Sequence, residues 1–273
     1  MTATGRFPRR ELTVFLCLTF GLSAVFWIII IGAGSPYSPR RGYMLALLWS
    51  PGFSALLTRL AFQRNVRGEG WGWHRDTPGW GALAYIVPIA YASVAFGFVL
   101  LTRPDGVGLE RSAHAGALVV MVAFAKQLVS VTGEEIGWRG FLVPMLARAR
   151  TFVRTALVSG AIWAAWHLPL NVFAAYRTPI ASWYSVAFSS VILAAVAMPL
   201  AWLRLRSRSL WPAVIFHTSH NFFVQAFFAR LTTASDSTRS LTRSFGAALA
   251  VLTVVTALIF WRMRGSIDGK SPS

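Results

Sequence analysis

The sequence predicts an all-α integral membrane protein: a bundle of about eight transmembrane helices around a buried polar site. Three observations lead there. Hydrophobic residues make up 55% of the 273 residues and charged residues only 13%, with a mean hydropathy of +0.56. Several apolar runs exceed the roughly 18 residues that read as a spanning helix, and none alternates in the manner of an outer-membrane strand. Finally, Gly133-Glu134-Glu135-Ile136-Gly137-Trp138-Arg139-Gly140 interrupts one such run between Ala115 and Leu146. A charge at that depth costs ~2.5–3.5 kcal/mol on insertion scales, so intramembrane acids point to a functional site.

Taken in order, apolar runs separated by Arg-, Pro- and Gly-containing breaks predict spans at 11–33, 43–62, 79–102, 115–147, 152–175, 182–203, 209–230 and 241–262. The first follows Arg6, Arg9 and Arg10 as a signal peptide would, but its apolar stretch from Leu12 to Ala33 is longer than a usual signal core. It is therefore expected to be a retained helix. Gln63 to Pro78 reads as a short polar loop, or an interfacial helix with Trp71 and Trp73 at head-group level, and Arg230 to Arg243 as a second loop. One polytopic membrane domain, 1–273, is expected, with a catalytic core over 118–225.

The excess of 26 basic over 9 acidic residues does not point to nucleic acid. The basic residues are mostly arginines at the ends of apolar runs, where they set topology and meet anionic head groups. They favour the side of the N-terminus by roughly two to one, which predicts both termini in the cytoplasm. A bacterial-type plasma membrane is the expected location, and the lipid bilayer the first partner. Cys17 is the only cysteine, so an intramolecular disulfide is excluded and thiolate ligation of a metal is not expected.

Polar residues inside the spans sort sharply. Of the nine acids only Glu134 and Glu135 fall at depth, and His167, His217 and His220 lie within spans while His74 and His114 lie at edges. Glu134 is 14 residues from Arg148, His167 is 13 from Arg154, and His217 and Asn221 are 9 and 13 from Arg208. At about 1.5 Å of rise per residue, all four sit ~14–21 Å from their cytoplasmic helix ends. A shared level on three spans is what one buried site requires. Within helices, Glu135 and Arg139, Trp163 and His167, and His217 and Asn221 are each four apart and share a face. Arg139 can hold Glu135, which leaves Glu134 for chemistry. Pro169 and Pro212 are expected to loosen the backbone near the two histidines. His220 reads as a core or supporting histidine and Lys126 as a head-group contact.

Two glutamates, two histidines, an arginine and an asparagine suit hydrolysis by water: a carboxylate takes a proton, and cationic or amide donors stabilise an oxyanion. Glu134, His167 and His217 could equally hold a zinc ion with water in its fourth position. The single-helix His-Glu-x-x-His arrangement is absent.

At these residues the chain resembles the CAAX protease and bacteriocin-processing family of intramembrane endopeptidases, also called the Abi family. That family carries Glu-Glu-x-x-x-Arg, an aromatic residue four before a histidine, and His-x-x-x-Asn or Asp. Here these are Glu134, Glu135 and Arg139; Trp163 and His167, with Trp in place of the commoner Phe; and His217 and Asn221. The resemblance implies cleavage of peptide bonds in membrane-associated or lipidated protein substrates. It implies that Glu134 and His167 activate water, that His217 and Asn221 stabilise the oxyanion, and that Glu135 and Arg139 support them. Members are described both as zinc metalloproteases and as metal-free glutamate proteases, and both remain open. Two other readings compete: a proton-coupled transporter, against which stands the lack of a second copy of the Glu-Glu motif, and a non-catalytic immunity or scaffold member of the same family.

Overall fold

A computed structural model describes residues 8–33, 41–66, 68, 70–102, 117–175, 182–228 and 246–268. Arg6, His114 and the loop Arg230 to Arg243 lie outside the described residues. Every regular element described is helical: α1 Arg9–Gly32, α2 Arg41–Gln63, α3 Thr77–Thr102, α4 Ala117–Gly137, α5 Val143–Ala147, α6 Phe152–Ala175, α7 Ser182–Ser207, α8 Trp211–Asn221, α9 Ala247–Arg262 and the short α10 Gly265–Asp268. Two π-helical turns, π1 Trp138–Leu142 and π2 Phe222–Phe227, extend α4 into α5 and prolong α8.

The described residues of each of the eight expected spans lie largely in a helix or a helix continued through a π-turn. Among the described residues, α1, α2, α3, α6 and α7 are long and apolar enough to cross a membrane, and α9 is a shorter apolar helix. The outer surface is correspondingly apolar, with Ile28, Leu57, Ile86, Leu101, Met121 and Trp183 all exposed. On a soluble monomer such faces would be an aggregation hazard, whereas on an integral membrane protein they suit an apolar surrounding.

Helix α2 packs between α1 and α4, α8 between α4 and α3, and α7 between α6 and α9, while α1 meets α6 across the bundle. The α2–α4 seam is a close one. A Cβ added at Gly52 would lie 2.6 Å from the Gly133 carbonyl oxygen, one at Gly133 would lie 2.6 Å from the Trp49 ring, and one at Gly137 would lie 2.5 Å from Pro51. Gly133 and Gly137 flank the acid pair four residues apart, and small residues at that spacing let two membrane helices approach backbone to backbone. Their placement locks the helix carrying both glutamates against α2. The hydroxyls of Ser50, Ser54 and Thr58 line α2 every fourth residue and return to carbonyls one turn back, at 3.0, 2.8 and 2.7 Å. They are thus satisfied without a partner from another helix.

The segment between α2 and α3 differs from the interfacial helix considered above. Its described residues run through turns without a helix, and Trp71 is half-buried against protein while Trp73 is exposed. Gly70 adopts a left-handed backbone (φ 68°), which a residue without Cβ enters at no steric cost. Leu210 N–H donates to the Gly70 carbonyl (2.7 Å), Ser209 Oγ to that of Gly72 (2.9 Å) and Trp211 Nε1 to that of Trp71 (3.1 Å). The segment is a strap across the α7–α8 turn. Pro212 likewise differs from expectation: it begins α8 rather than interrupting it, a position where its missing N–H costs no helix bond. Pro169 does lie inside a helix, α6.

Candidate active site

Glu134 and Glu135 end α4 one residue pair before π1. A π-turn shifts bonding to the fifth residue back and so re-aims side chains and frees carbonyls, a feature that recurs at functional sites. Those carbonyls find donors from elsewhere: Arg204 Nε of α7 donates to the Arg139 carbonyl at 2.9 Å, and Trp71 Nε1 points at that of Gly140 at 3.5 Å. The irregular backbone is therefore tolerated because protein surrounds it.

Glu135 is 0% exposed and Arg139 1%. Arg139 donates to Glu135 Oε1 at 2.8 Å, and His217 Nδ1 reaches the same oxygen at 2.9 Å. Because a carboxylate only accepts, His217 carries its proton on Nδ1, which leaves Nε2 unengaged by this pair. Glu135 Oε2 is buried without a hydrogen-bond partner among the described residues. The second acid is thus the hub of a buried ion network that ties α4, π1 and α8 together.

Glu134 faces α6 instead. Trp163 Nε1 donates to Glu134 Oε2 at 3.0 Å, and His167 Nε2 lies 3.9 Å from that oxygen. His167 Nδ1 donates to the Trp163 carbonyl at 3.0 Å. That bond fixes the tautomer of a neutral ring, so the Nε2 lone pair is turned toward Glu134. The Trp163 ring centroid is 5.2 Å from each of the His167 and His217 rings, and the Arg139 guanidinium sits 4.3 Å from it, within cation–π range. Access is uneven. The His167 side chain is 23% exposed and that of Glu134 3%, so the site is reached from the α6 side.

Five of the six residues singled out from the sequence, Glu134, Glu135, Arg139, His167 and His217, thus meet in one cluster. Asn221, the last residue of α8, makes a different contact: its Oδ1 accepts from Gln225 Nε2 of π2 at 3.2 Å. His220 is buried and hydrogen-bonds Tyr91 of α3 through Nδ1. Lys126 is exposed on α4. The indole N–H of Trp163 was not foreseen as a contact to Glu134, since the motif identified Trp163 only as an aromatic; nothing in the sequence marked Tyr91 or Arg204.

Residues 115–223 match the family model of the type II CAAX prenyl endopeptidase Rce1-like proteins. The match covers less than half of the chain, so it is a similarity of this stretch to that family. The stretch carries all six candidate residues and agrees with the resemblance read from the three motifs. The Rce1-like stretch is also similar to the CAAX prenyl protease 2 of Methanococcus maripaludis, at 29% identity over 128 residues. That alignment covers 44% of this chain and 47% of the relative, so the similarity spans about half the length of each.

The donor types of Glu134, His167 and His217 are ones zinc accepts. Their placement does not bring them together as ligands. Among the described residues no three His, Cys, Asp or Glu side chains converge to hold a metal. As arranged, the three do not form a three-ligand site.

Proposed function

We propose that this protein is an intramembrane endopeptidase of the glutamate type, hydrolysing a peptide bond of a membrane-associated, lipidated protein with water activated by Glu134 and His167. The observation that carries this reading is the 3.9 Å between Glu134 Oε2 and His167 Nε2. It is too long for a direct hydrogen bond and the right span for one shared water: an oxygen about 2.8 Å from each atom makes its two contacts at roughly a right angle. Both atoms accept, so the water donates one proton to each and turns its remaining lone pair outward, toward a carbonyl carbon.

Attack transfers a proton from water to the Glu134–His167 pair and forms a tetrahedral oxyanion. The pair returns that proton to the departing amine, leaving a carboxylate and a free amino terminus. His217, held through Nδ1 by Glu135, supplies the oxyanion donor from Nε2 when doubly protonated, and Asn221 assists after a side-chain rotation away from Gln225. With His217 charged, Glu134 and Glu135 balance Arg139 and His217, so the buried set is neutral overall. Arg139 and Glu135 touch neither water nor substrate in this scheme; they keep His217 in place. Residues 118–225 serve as the catalytic core.

The family description names a CAAX prenyl endopeptidase and the relative is a CAAX prenyl protease, and a prenyl chain would bring a peptide to the exposed, apolar α6 side. A C-terminal Cys-aliphatic-aliphatic-X peptide with a farnesylated cysteine is accordingly the substrate class we assign. The arginine bias supports the Arg-rich ends facing the cytoplasm of a bacterial-type plasma membrane.

The test is cleavage of a farnesylated CAAX peptide by the purified full chain in lipid vesicles, with the released tripeptide identified by mass. Glu134→Gln and His167→Asn are each expected to lower turnover by about 10²–10⁴-fold, and treatment with a strong chelator to leave it unchanged. Wild-type turnover in Glu134→Gln, or loss on chelation restored by added zinc, would overturn the scheme.

A further inference from the structure

We propose that Trp163 is a positioning residue for Glu134: its indole N–H fixes the carboxylate in the orientation that presents Oε2 to the water shared with His167. This rests on the reading of Glu134 as the base. No other residue in the cluster touches so many of its members. Trp163 donates to Glu134 Oε2 at 3.0 Å, accepts from His167 Nδ1 through its carbonyl at 3.0 Å, lies under the Arg139 guanidinium at 4.3 Å and meets the His217 ring at 5.2 Å. It is 2% exposed, so water does not compete for the indole proton.

The geometry separates two functions that an aromatic side chain could combine. The ring face and the backbone carbonyl hold the two histidines and the arginine, and any aromatic residue on this backbone would supply those contacts. The N–H is different. Glu134 ends α4 facing α6, and a carboxylate on a two-carbon stem has rotamer freedom unless something on the opposite helix holds it. A carboxylate oxygen has two lone-pair directions for donors; the indole proton occupies one on Oε2 and leaves the other for the water. A second carboxylate is available one residue on, and Arg139 and His217 both bind it. The indole thus also marks which of two adjacent acids is directed at α6.

A purely packing role and a positioning role separate by chemistry at one atom. In lipid vesicles with the farnesylated CAAX peptide, Trp163→Phe and replacement of Trp163 by benzothienylalanine, which keeps the bicyclic shape but has sulfur in place of the N–H, are both expected to lower kcat about ten- to a hundred-fold with KM within about twofold. Packing alone would spare the isosteric variant, so wild-type kcat in the benzothienylalanine protein overturns the proposal. A second readout needs no turnover. The indole N–H resonance of Trp163, assigned by its loss in Trp163→Phe, is expected to move upfield in Glu134→Ala, and an unmoved resonance also overturns the proposal. Full turnover in Glu134→Gln would instead refute the reading of Glu134 as base; the indole resonance then decides separately whether Trp163 holds that carboxylate.

Discussion

Arg139→Met is the perturbation whose outcome the buried ion network determines most sharply. Methionine keeps much of the arginine stem volume and removes the charge. Glu135 would retain His217 on Oε1 but lose the 2.8 Å guanidinium contact, with Oε2 already unpartnered among the described residues and no water access at 0% exposure. Breaking a buried pair on one side costs about 3–5 kcal/mol, because the remaining charge is left uncompensated. Removing both charges is different: Glu135→Gln with Arg139→Met leaves an amide oxygen to accept from His217 and neither charge of the pair, so most of the loss should be recovered. The assay is unfolding in detergent micelles of the wild type, both single variants and the double variant, as a mutant cycle. The singles should be strongly destabilised and the double should lie within about 1–2 kcal/mol of wild type. A single Arg139→Met within about 1 kcal/mol of wild type, or a double variant no better than the singles, would refute the network as drawn.

Two further outcomes follow from packing outside the reacting groups. Gly137→Ala places a Cβ against Pro51 at 2.5 Å; overpacking of this kind costs about 1–3 kcal/mol, read as a lower unfolding midpoint, with turnover reduced because the α2–α4 seam holds Glu134. Tyr91→Phe removes the hydroxyl that His220 bonds; stability should fall by about 1–3 kcal/mol while peptide cleavage stays near wild type, since neither residue touches Glu134.

Much of the site was legible because helix rise is constant and arginines mark membrane edges. Counting from Arg148, Arg154 and Arg208 put Glu134, His167 and His217 at one level; in the structure His167 lies beside Glu134, while His217 bonds Glu135. The four-residue spacing of Glu135 and Arg139 likewise translated directly into an ion pair, even though Arg139 belongs to π1. Spacing worked less well for Asn221. It is the last residue of α8, four after His217, but Gln225 of π2 donates to its Oδ1, a contact that spacing does not encode. Neither π-turn was legible in hydrophobic periodicity, since helices this apolar carry too little polar contrast to reveal a one-residue change of phase. The Trp163 donor depends on a rotamer and on the distance between α4 and α6, which no linear spacing encodes. The strap at Trp71 was obscured for a related reason: a Gly- and Trp-rich polar stretch has the composition of an interfacial loop whether it rests on lipid or on protein. One missed feature was readable. Gly133 and Gly137 four apart in an apolar helix already imply close approach to a neighbour, though not that the neighbour is α2.

The division of labour between adjacent acids is tested most directly by comparing Glu134→Gln and Glu135→Gln for unfolding in micelles and for turnover of the farnesylated peptide. Glu134→Gln should unfold close to wild type, because Gln keeps an oxygen to accept the Trp163 indole proton, and should lose turnover by at least about 100-fold. Glu135→Gln should lose stability, because Arg139 is then buried without its counterion. The opposite pattern, a Glu134→Gln protein that still cleaves or a Glu135→Gln protein of wild-type stability, would contradict the roles assigned to the pair.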